Sequence, residues 1–591
     1  MKTDIKTDIW RKFEKCQDYA DKKQLVSKTE KNWNFYIGNQ WKGMNTNGET
    51  LPMLNFIKPV IKYMVSNVAS ATRTARYKDM SNTKELEQVY QALNHYWVQS
   101  WEKSKMKEII WRTLKSAAIQ GDSYVYWESG DTLKPPQVLA NTDIFFADEN
   151  TTEIQEQEFI IVKERWNLKA AKEVAEKNGL SKKEIELIGV DNETEKQLFN
   201  KAEVEDKVTV LFYLEKDKDG NVRTARSTKG VVIEPLEAIQ GESGDGKKLK
   251  ALTIYPIVPY IWEPVPNSAR GVSEVAQLIP NQLELNKTLA RRAAATAQGA
   301  YPRLAYDANA IENPEDLDKV GVAIALNGGN AQSINQMISY LNATNISSDA
   351  DKLTNDMLQL TKDLAGVTDY AIGNINPEQA SGTAINAVRE QSQVPLAEQA
   401  SRLYQWVEDI SLLWVDLWIA YNSDGFEFEY EVELEEDSVN MQTGEVGQAG
   451  QKVMARAVIT GEELRKLKPT VKVDVSQDNE WTKLGEQQAL DNFLQTGQIT
   501  LEEYAKLAPD NSPIPKEKLL KVAEERERKK QQEMAQQQAQ LDQQQAQLDQ
   551  MNQMQSQPNP DEVVDKDMLL DMLIKKGVPE QDAIELINQN V

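Results

Sequence analysis

The chain has 591 residues, 40% of them hydrophobic, which is enough for several domains and at least one large core. With 92 acidic against 68 basic residues, its net charge of -24 argues against simple adhesive DNA binding, in which clustered Lys and Arg neutralise phosphates. The same acidity suits a wall past which a duplex slides without being trapped, and equally a protein that uses charge only for solubility.

One cysteine, Cys16, and one histidine, His95, rule out a disulfide framework or a Cys/His zinc site within the chain. Both fall in helical stretches and read as packing or surface residues, which leaves little for a thiol nucleophile or histidine-based catalysis. No apolar run approaches the roughly 18 residues that span a bilayer, and Met1 to Lys6 lacks the apolar core of a signal peptide. The expectation is a soluble, multi-domain protein, cytoplasmic when made, with no membrane partner, no metal and no cofactor.

Residues 1–125 read mostly as helix, with Trp33, Phe35, Tyr36 and Trp41 as packing anchors and an apolar helix from Leu54 to near Ser70. Helical spacing from Met106 to Ile119 meets a turn at Gly121-Asp122, then a strand over Ser123–Trp127. From 135 to 265 the pattern is α+β, with strands at Phe159–Val162 and Val208–Leu214 around a polar helix near 168–200. Asp217 to Asn221 is similar to a calcium loop but lacks the later Glu ligand and sits between strands, so it reads as a hairpin turn. Gly241 to Lys248 matches the GxxxxGK part of a phosphate loop, yet ends on Lys248 where magnesium coordination needs Ser or Thr. A strand-like segment, Leu249–Tyr255, follows it instead of a helix, so it reads as a flexible hairpin tip.

A long helix is expected over 271–298, with Val275, Leu278, Ile279, Leu285 and Leu289 on one face, Gln282 and Asn286 continuing that stripe, and Pro280 marking a kink or the true first turn. An insertion to about Asn345 carries strands at Arg303–Tyr306 and Val322–Leu326, and a second helix runs from Ser347 to Ala365. Residues 366–382 are rich in breakers and form a loop; a helix from Thr383 to about Tyr421 then carries a stripe of Leu403, Trp406, Val407, Ile410, Trp414 and Leu417 that reads as core. Strands follow at Phe426–Val432 and Thr470–Val475, then small helices over 481–508. A polar helix from Pro515 repeats a Gln-rich seven-residue unit at 536–542 and 543–549, either as one helix in a ring of helices or as a disordered tail, before a short helical segment at 562–590.

This order resembles the portal proteins of tailed bacteriophages. Gly271 to Val275 followed by Pro280 to Asn286 is similar to that family's run into its stem, and Ala380-Ser381-Gly382-Thr383 to its Ser-Gly step into a long wing helix. Gly271, Gln282, Asn286, Ser381 and Gly382 are thus the signature positions. The resemblance implies a predominantly helical α+β portal fold with a C-terminal helical extension, assembled as a ring. Its parts would be an N-terminal wing at 1–265, first stem helix 266–298, clip 299–345, second stem helix 346–365, tunnel loop 366–382, wing helix and strands 383–480, crown 481–520 and Gln-rich extension 521–591.

It further implies a non-enzymatic head-tail connector, a ring of about twelve copies at one capsid vertex of the virion. Double-stranded DNA would be packaged through its channel by the terminase and later ejected, and its partners would be the terminase large subunit, the major capsid protein and scaffold, and head-tail adaptors. Tyr370, Asn374, Asn376, Glu378 and Gln379 would line the narrow part of the channel. Arg291 and Arg292 would add positive charge to it or pair with a neighbouring subunit. The alternatives are a packaging enzyme, for which no complete phosphate loop or acidic metal cluster is found, and a non-portal structural or scaffolding protein.

Overall fold

In a computed structural model the chain divides into two units, Met1–Asn479 and Glu480–Val591. The structure describes residues 5–45, 51–69, 74–78, 84–191, 199, 206–241, 250–300, 303–309, 311, 313–325, 338–341, 394–421, 426–433, 438–439, 446–447, 452–459, 470–474, 489–500 and 566–589, with single helical positions at 352–360, 503–507 and 522–529.

The first unit opens with helices α1 (Ile5–Lys22), α2 (Leu25–Ile37) and α3 (Ile57–Ala69), strand β1 (Thr74–Lys78), and helices α4 (Lys84–Lys103) and α5 (Met106–Gln120). Spacings of three and four drive this packing: α3 buries Ile57, Val60, Ile61, Met64, Val65 and Val68, and α5 buries Met106, Ile109, Ile110, Leu114, Ala117 and Ala118. α5 stops where Gly121, at φ 106°, donates its N–H to the Ala117 carbonyl.

Strands β2 (Asp122–Tyr126), β3 (Gln137–Leu139), β4 (Ile144–Phe146) and β5 (Phe159–Asn167) follow, then helices α6 (Leu168–Lys177) and α7 (Lys182–Glu186), then β6 (Lys207–Lys216), β7 (Val222–Ser227), β8 (Val232–Ala238) and β9 (Ile257–Ile261). They form an antiparallel five-stranded sheet in the order β4-β5-β6-β7-β8 and a three-stranded sheet β3-β2-β9. The apolar runs of β5 and β6 are continuous because both faces are covered. Phe145, Phe159, Ile161, Leu211 and Tyr213 pack under Ile9, Trp10 and Phe13 of α1, while Ile144, Phe146, Ile160, Val162, Val210 and Phe212 face the main core.

Helix α8 (Glu274–Ala300) leads to β10 (Arg303–Tyr306), which pairs antiparallel with β11 (Ile338–Leu341). Helix α9 (Ala397–Tyr421) buries all six residues of its predicted stripe. Trp414 lies 6.0 Å, ring centre to ring centre, from both Trp97 and Trp101 and 6.2 Å from Trp127 and Trp418. The unit closes with β12 (Phe426–Glu433), β13 (Ser438–Val439), β14 (Val446–Gly447), β15 (Lys452–Ile459) and β16 (Thr470–Asp474). β12 pairs with β15, and β16 returns to pair with β1. In the second unit, helices α10 (Lys566–Lys575) and α11 (Glu580–Gln589) meet at a turn whose Gly577 has φ 88°. The fold class is α+β.

Several local expectations change. A strand, β1, interrupts the helical N-terminal region because it finds its partner almost 400 residues on, a pairing no local pattern reveals. The polar helix after β5 breaks at Asn178-Gly179 into α6 and α7. Residues 250–255 form no strand: Asp416 of α9 takes the Thr253 N–H at 2.6 Å and the Ile254 N–H at 2.9 Å, so those amides cannot serve a ladder. Residues 322–325 form no strand either, and β10 pairs with β11 instead. β15 was not expected, and the final helical segment is two helices. Pro280 lies inside α8 rather than in its first turn; its ring is exposed, where solvent can serve the freed carbonyl. The tip at 242–249, residues 383–393 and the Gln-rich repeats at 536–549 lie outside the described residues.

Candidate functional site

The singled-out residues that the structure describes, Gly271, Gln282, Asn286, Arg291 and Arg292, all belong to α8 or the turn that leads into it. That turn is built on a contact between two glycines. A Cβ on Gly271 would stand 2.5 Å from the Gly121 carbonyl oxygen, and one on Gly121 would stand 2.4 Å from that of Gly271. No other residue type lets these two backbones meet. Ser273 then ties the helix start to α5: its hydroxyl donates to the Ile119 carbonyl at 2.6 Å and accepts the Ala276 N–H at 3.2 Å, the geometry of an N-cap.

Arg270, just before the glycine, is drawn inside. Its guanidinium makes a bidentate pair with Glu149, at 2.8 and 2.9 Å, and donates to the carbonyls of Asn141 and Ile144 at 2.6 and 2.8 Å. It also lies 3.6 Å from Asp122, which accepts the Tyr124 hydroxyl at 2.6 Å. Burial pushes the Asp122 carboxyl above its ordinary pKa, against the opposing pull of Arg270 and of hydrogen bonds from Tyr124 and Asn141. A buried charge in this position needs every one of its partners, so the cluster holds one arrangement of the turn.

Two turns along α8, three side-chain amides form a ladder. Gln282 accepts the Phe56 N–H at 3.0 Å and donates to the Leu54 carbonyl at 2.7 Å and to the Asn286 side-chain oxygen at 3.0 Å. Asn286 donates to Gln40 at 2.5 Å, and Gln40 donates to the Phe35 carbonyl at 3.0 Å. Gln282 and Asn286 are both 0% exposed, so their polar groups continue the apolar stripe of α8 because the loop before α3 presents backbone groups to them.

Beyond Asn286 the helix leaves this support. Val275, Leu278, Ile279 and Leu285 are buried, whereas residues 290–297 are half-buried or exposed throughout. Arg291 is 71% exposed at its side chain and lies 3.4 Å from Glu284 on the same helix; Arg292 is half-buried. Tyr370, Asn374, Asn376, Glu378, Gln379, Ser381 and Gly382 lie outside the described residues. Sequence reasoning missed Arg270, Glu149 and Gln40. A lone arginine beside the Gly271 signal was the only local hint, because burial of a charge depends on partners more than 100 residues away. Among the described residues no group of three or more His, Cys, Asp or Glu side chains is placed to hold a metal ion, and no helix is long and apolar enough to cross a membrane.

The region from α5 through α8, α9 and the strands beyond them lies within residues 103–564, which match the family described as phage P22-like portal protein. The chain belongs to that family. A portal protein is a structural component of a phage virion, and α8 with its clamped root is the described part of this portal protein that holds the residues singled out by sequence. Among solved structures, a chain from "Virion of native gene transfer agent (GTA) particle" is similar at 10% identity over 60% of this chain and 76% of that one, with a TM-score of 0.29, too slight a likeness to build on. No curated protein matches the portal protein.

Proposed function

We propose that the chain forms a ring of about twelve copies at one capsid vertex and that double-stranded DNA passes through its centre during packaging and ejection. In this reading residues 1–265 and 383–480 are the wing, 266–298 and 346–365 the two stem helices, 299–345 the clip, 366–382 the tunnel loop, 481–520 the crown and 521–591 the extension. The observation that carries it, beside membership of the family, is the division of α8: a root half locked by abutting glycines, ion pairs and amides, and a distal half with bare flanks that leads towards the β10–β11 strand pair. A helix held at one end and open at the other is what neighbours in a ring would pack against, and the strand pair beyond its far end is where a motor and adaptors would dock.

Tyr370, Asn374, Asn376, Glu378 and Gln379 would touch the passing phosphates without reading bases, and Arg291 and Arg292 would supply scarce positive charge. The terminase large subunit, the major capsid protein and scaffold, and head-tail adaptors are the remaining partners of this reading. Electron microscopy of the purified protein tests it. End-on views with about twelve-fold symmetry and a hole wider than a duplex, roughly 20 Å, support the channel; filaments or solid particles favour a scaffolding protein instead.

A further inference from the structure

Resting on the ring reading, we infer that a groove between α3 and α5 receives the next copy of the chain, and that the corner following α7 of that copy fills it. The groove encloses about 360 Å³. Ile61 and Val65 of α3 form its floor, at 0% and 3% exposure, while Trp111 of α5 stands on the rim at 46%. Lys62 and Arg112 line the same groove, are exposed, and enter no ion pair with a described residue. Glu108 lines the groove too, yet neither cation pairs with it or with any other described carboxylate, and exposed cations beside a half-exposed tryptophan suit an acidic, apolar partner.

The α7 corner has the complementary character. Leu187 is 60% exposed and Val190 51%, and the exposed Glu186 precedes them. Its backbone is nevertheless held firmly. A Cβ on Gly230 would lie 2.1 Å from the Leu187 carbonyl oxygen, Ile188 is 1% exposed, and Ser181 with Glu184 closes a capping box. The corner therefore presents two apolar side chains and a carboxylate from a rigid base, at little entropic cost. Charges match in both directions, since Glu108 in the groove suits Lys182 or Lys183 of α7 as Lys62 and Arg112 suit Glu186. Groove and corner are different patches, so the contact is head-to-tail and repeats from copy to copy, as a ring requires.

The experiment is a charge swap in the full-length protein, read by native mass spectrometry of the ring fraction against concentration, with thermal melts to confirm folding. Arg112→Glu, Glu186→Arg, Trp111→Ala and Leu187→Ala should each raise the concentration for half-maximal ring formation by about tenfold, and Arg112→Glu combined with Glu186→Arg should restore most of it. Rings indifferent to the single changes overturn the interface. Losses that the double variant does not restore overturn the α7 corner as occupant. A wild-type chain that stays monomeric removes the ring reading itself, and the inference with it.

Discussion

Replacing Gln282 with Leu keeps the size of a side chain that is 0% exposed and deletes only its amide. The Phe56 N–H and the Leu54 carbonyl lose their partner, and the Asn286 side-chain oxygen keeps only the Leu54 N–H at 3.4 Å. A buried group left unpaired costs about 1–3 kcal/mol, which applies to the Phe56 N–H. Leu54 is 49% exposed and its carbonyl can turn to water, so the change should cost about 1–3 kcal/mol. Gln282→Glu sharpens the test, because a carboxylate there still accepts from Phe56 but faces two oxygens to which it has nothing to donate. Its folded pKa is raised above the roughly 4.3 of an exposed glutamate. The folded state then keeps a proton that the unfolded state releases, so this variant is least impaired at low pH and loses stability as pH rises towards the folded value. Denaturant titration followed by tryptophan fluorescence at pH 5 and pH 8 measures both. A Gln282→Leu loss below about 1 kcal/mol, or a Gln282→Glu defect that ignores pH, would refute the ladder's role in holding α8.

Gly271→Ala drives a methyl group to 2.5 Å from one carbonyl oxygen and 2.6 Å from Ile261, so it should cost more than about 3 kcal/mol or abolish soluble expression. The control is Gly189→Ala, with nothing within 4 Å, which should melt within about 0.5 kcal/mol of wild type. Asp409 has its pKa pushed up to about 6, chiefly by burial, against a Gln405 hydrogen bond and reinforced by Glu408 and Glu153. Its folded value lies above its unfolded one, so the stability it confers is present below roughly pH 4 and is lost as pH rises to about 6, by at most about 3 kcal/mol. Asp409→Asn should therefore stabilise the protein at pH 7 and flatten that limb of the stability curve in melts from pH 4 to pH 8. Neutralising Arg291 and Arg292 together should change DNA packaging or retention while particles still assemble; normal DNA content in normal particles removes their channel role.

Periodicity alone determined α3, α5, α8 and α9 and the apolar runs of β5 and β6, because helical and strand spacing follow from which faces must leave water. The hairpin turn at Asp217–Asn221 was equally legible, since its Asx geometry is made by neighbours: Asp217 accepts the Asp219 and Asn221 N–H groups at 2.9 and 2.8 Å. Composition spoke against disulfide frameworks and Cys/His zinc sites. Only the tertiary structure decided that β1 is a strand, that the Thr253 and Ile254 amides are held by Asp416 rather than by a sheet ladder, and that Gln282 and Asn286 belong to the core. Each of those outcomes depends on a partner far along the chain, such as Asp474 opposite Thr74 or Gln40 beside Asn286, and a local pattern carries no record of it. The same holds for Arg270, whose charge can be buried only because folding brings Glu149, Asp122 and two carbonyls to meet it.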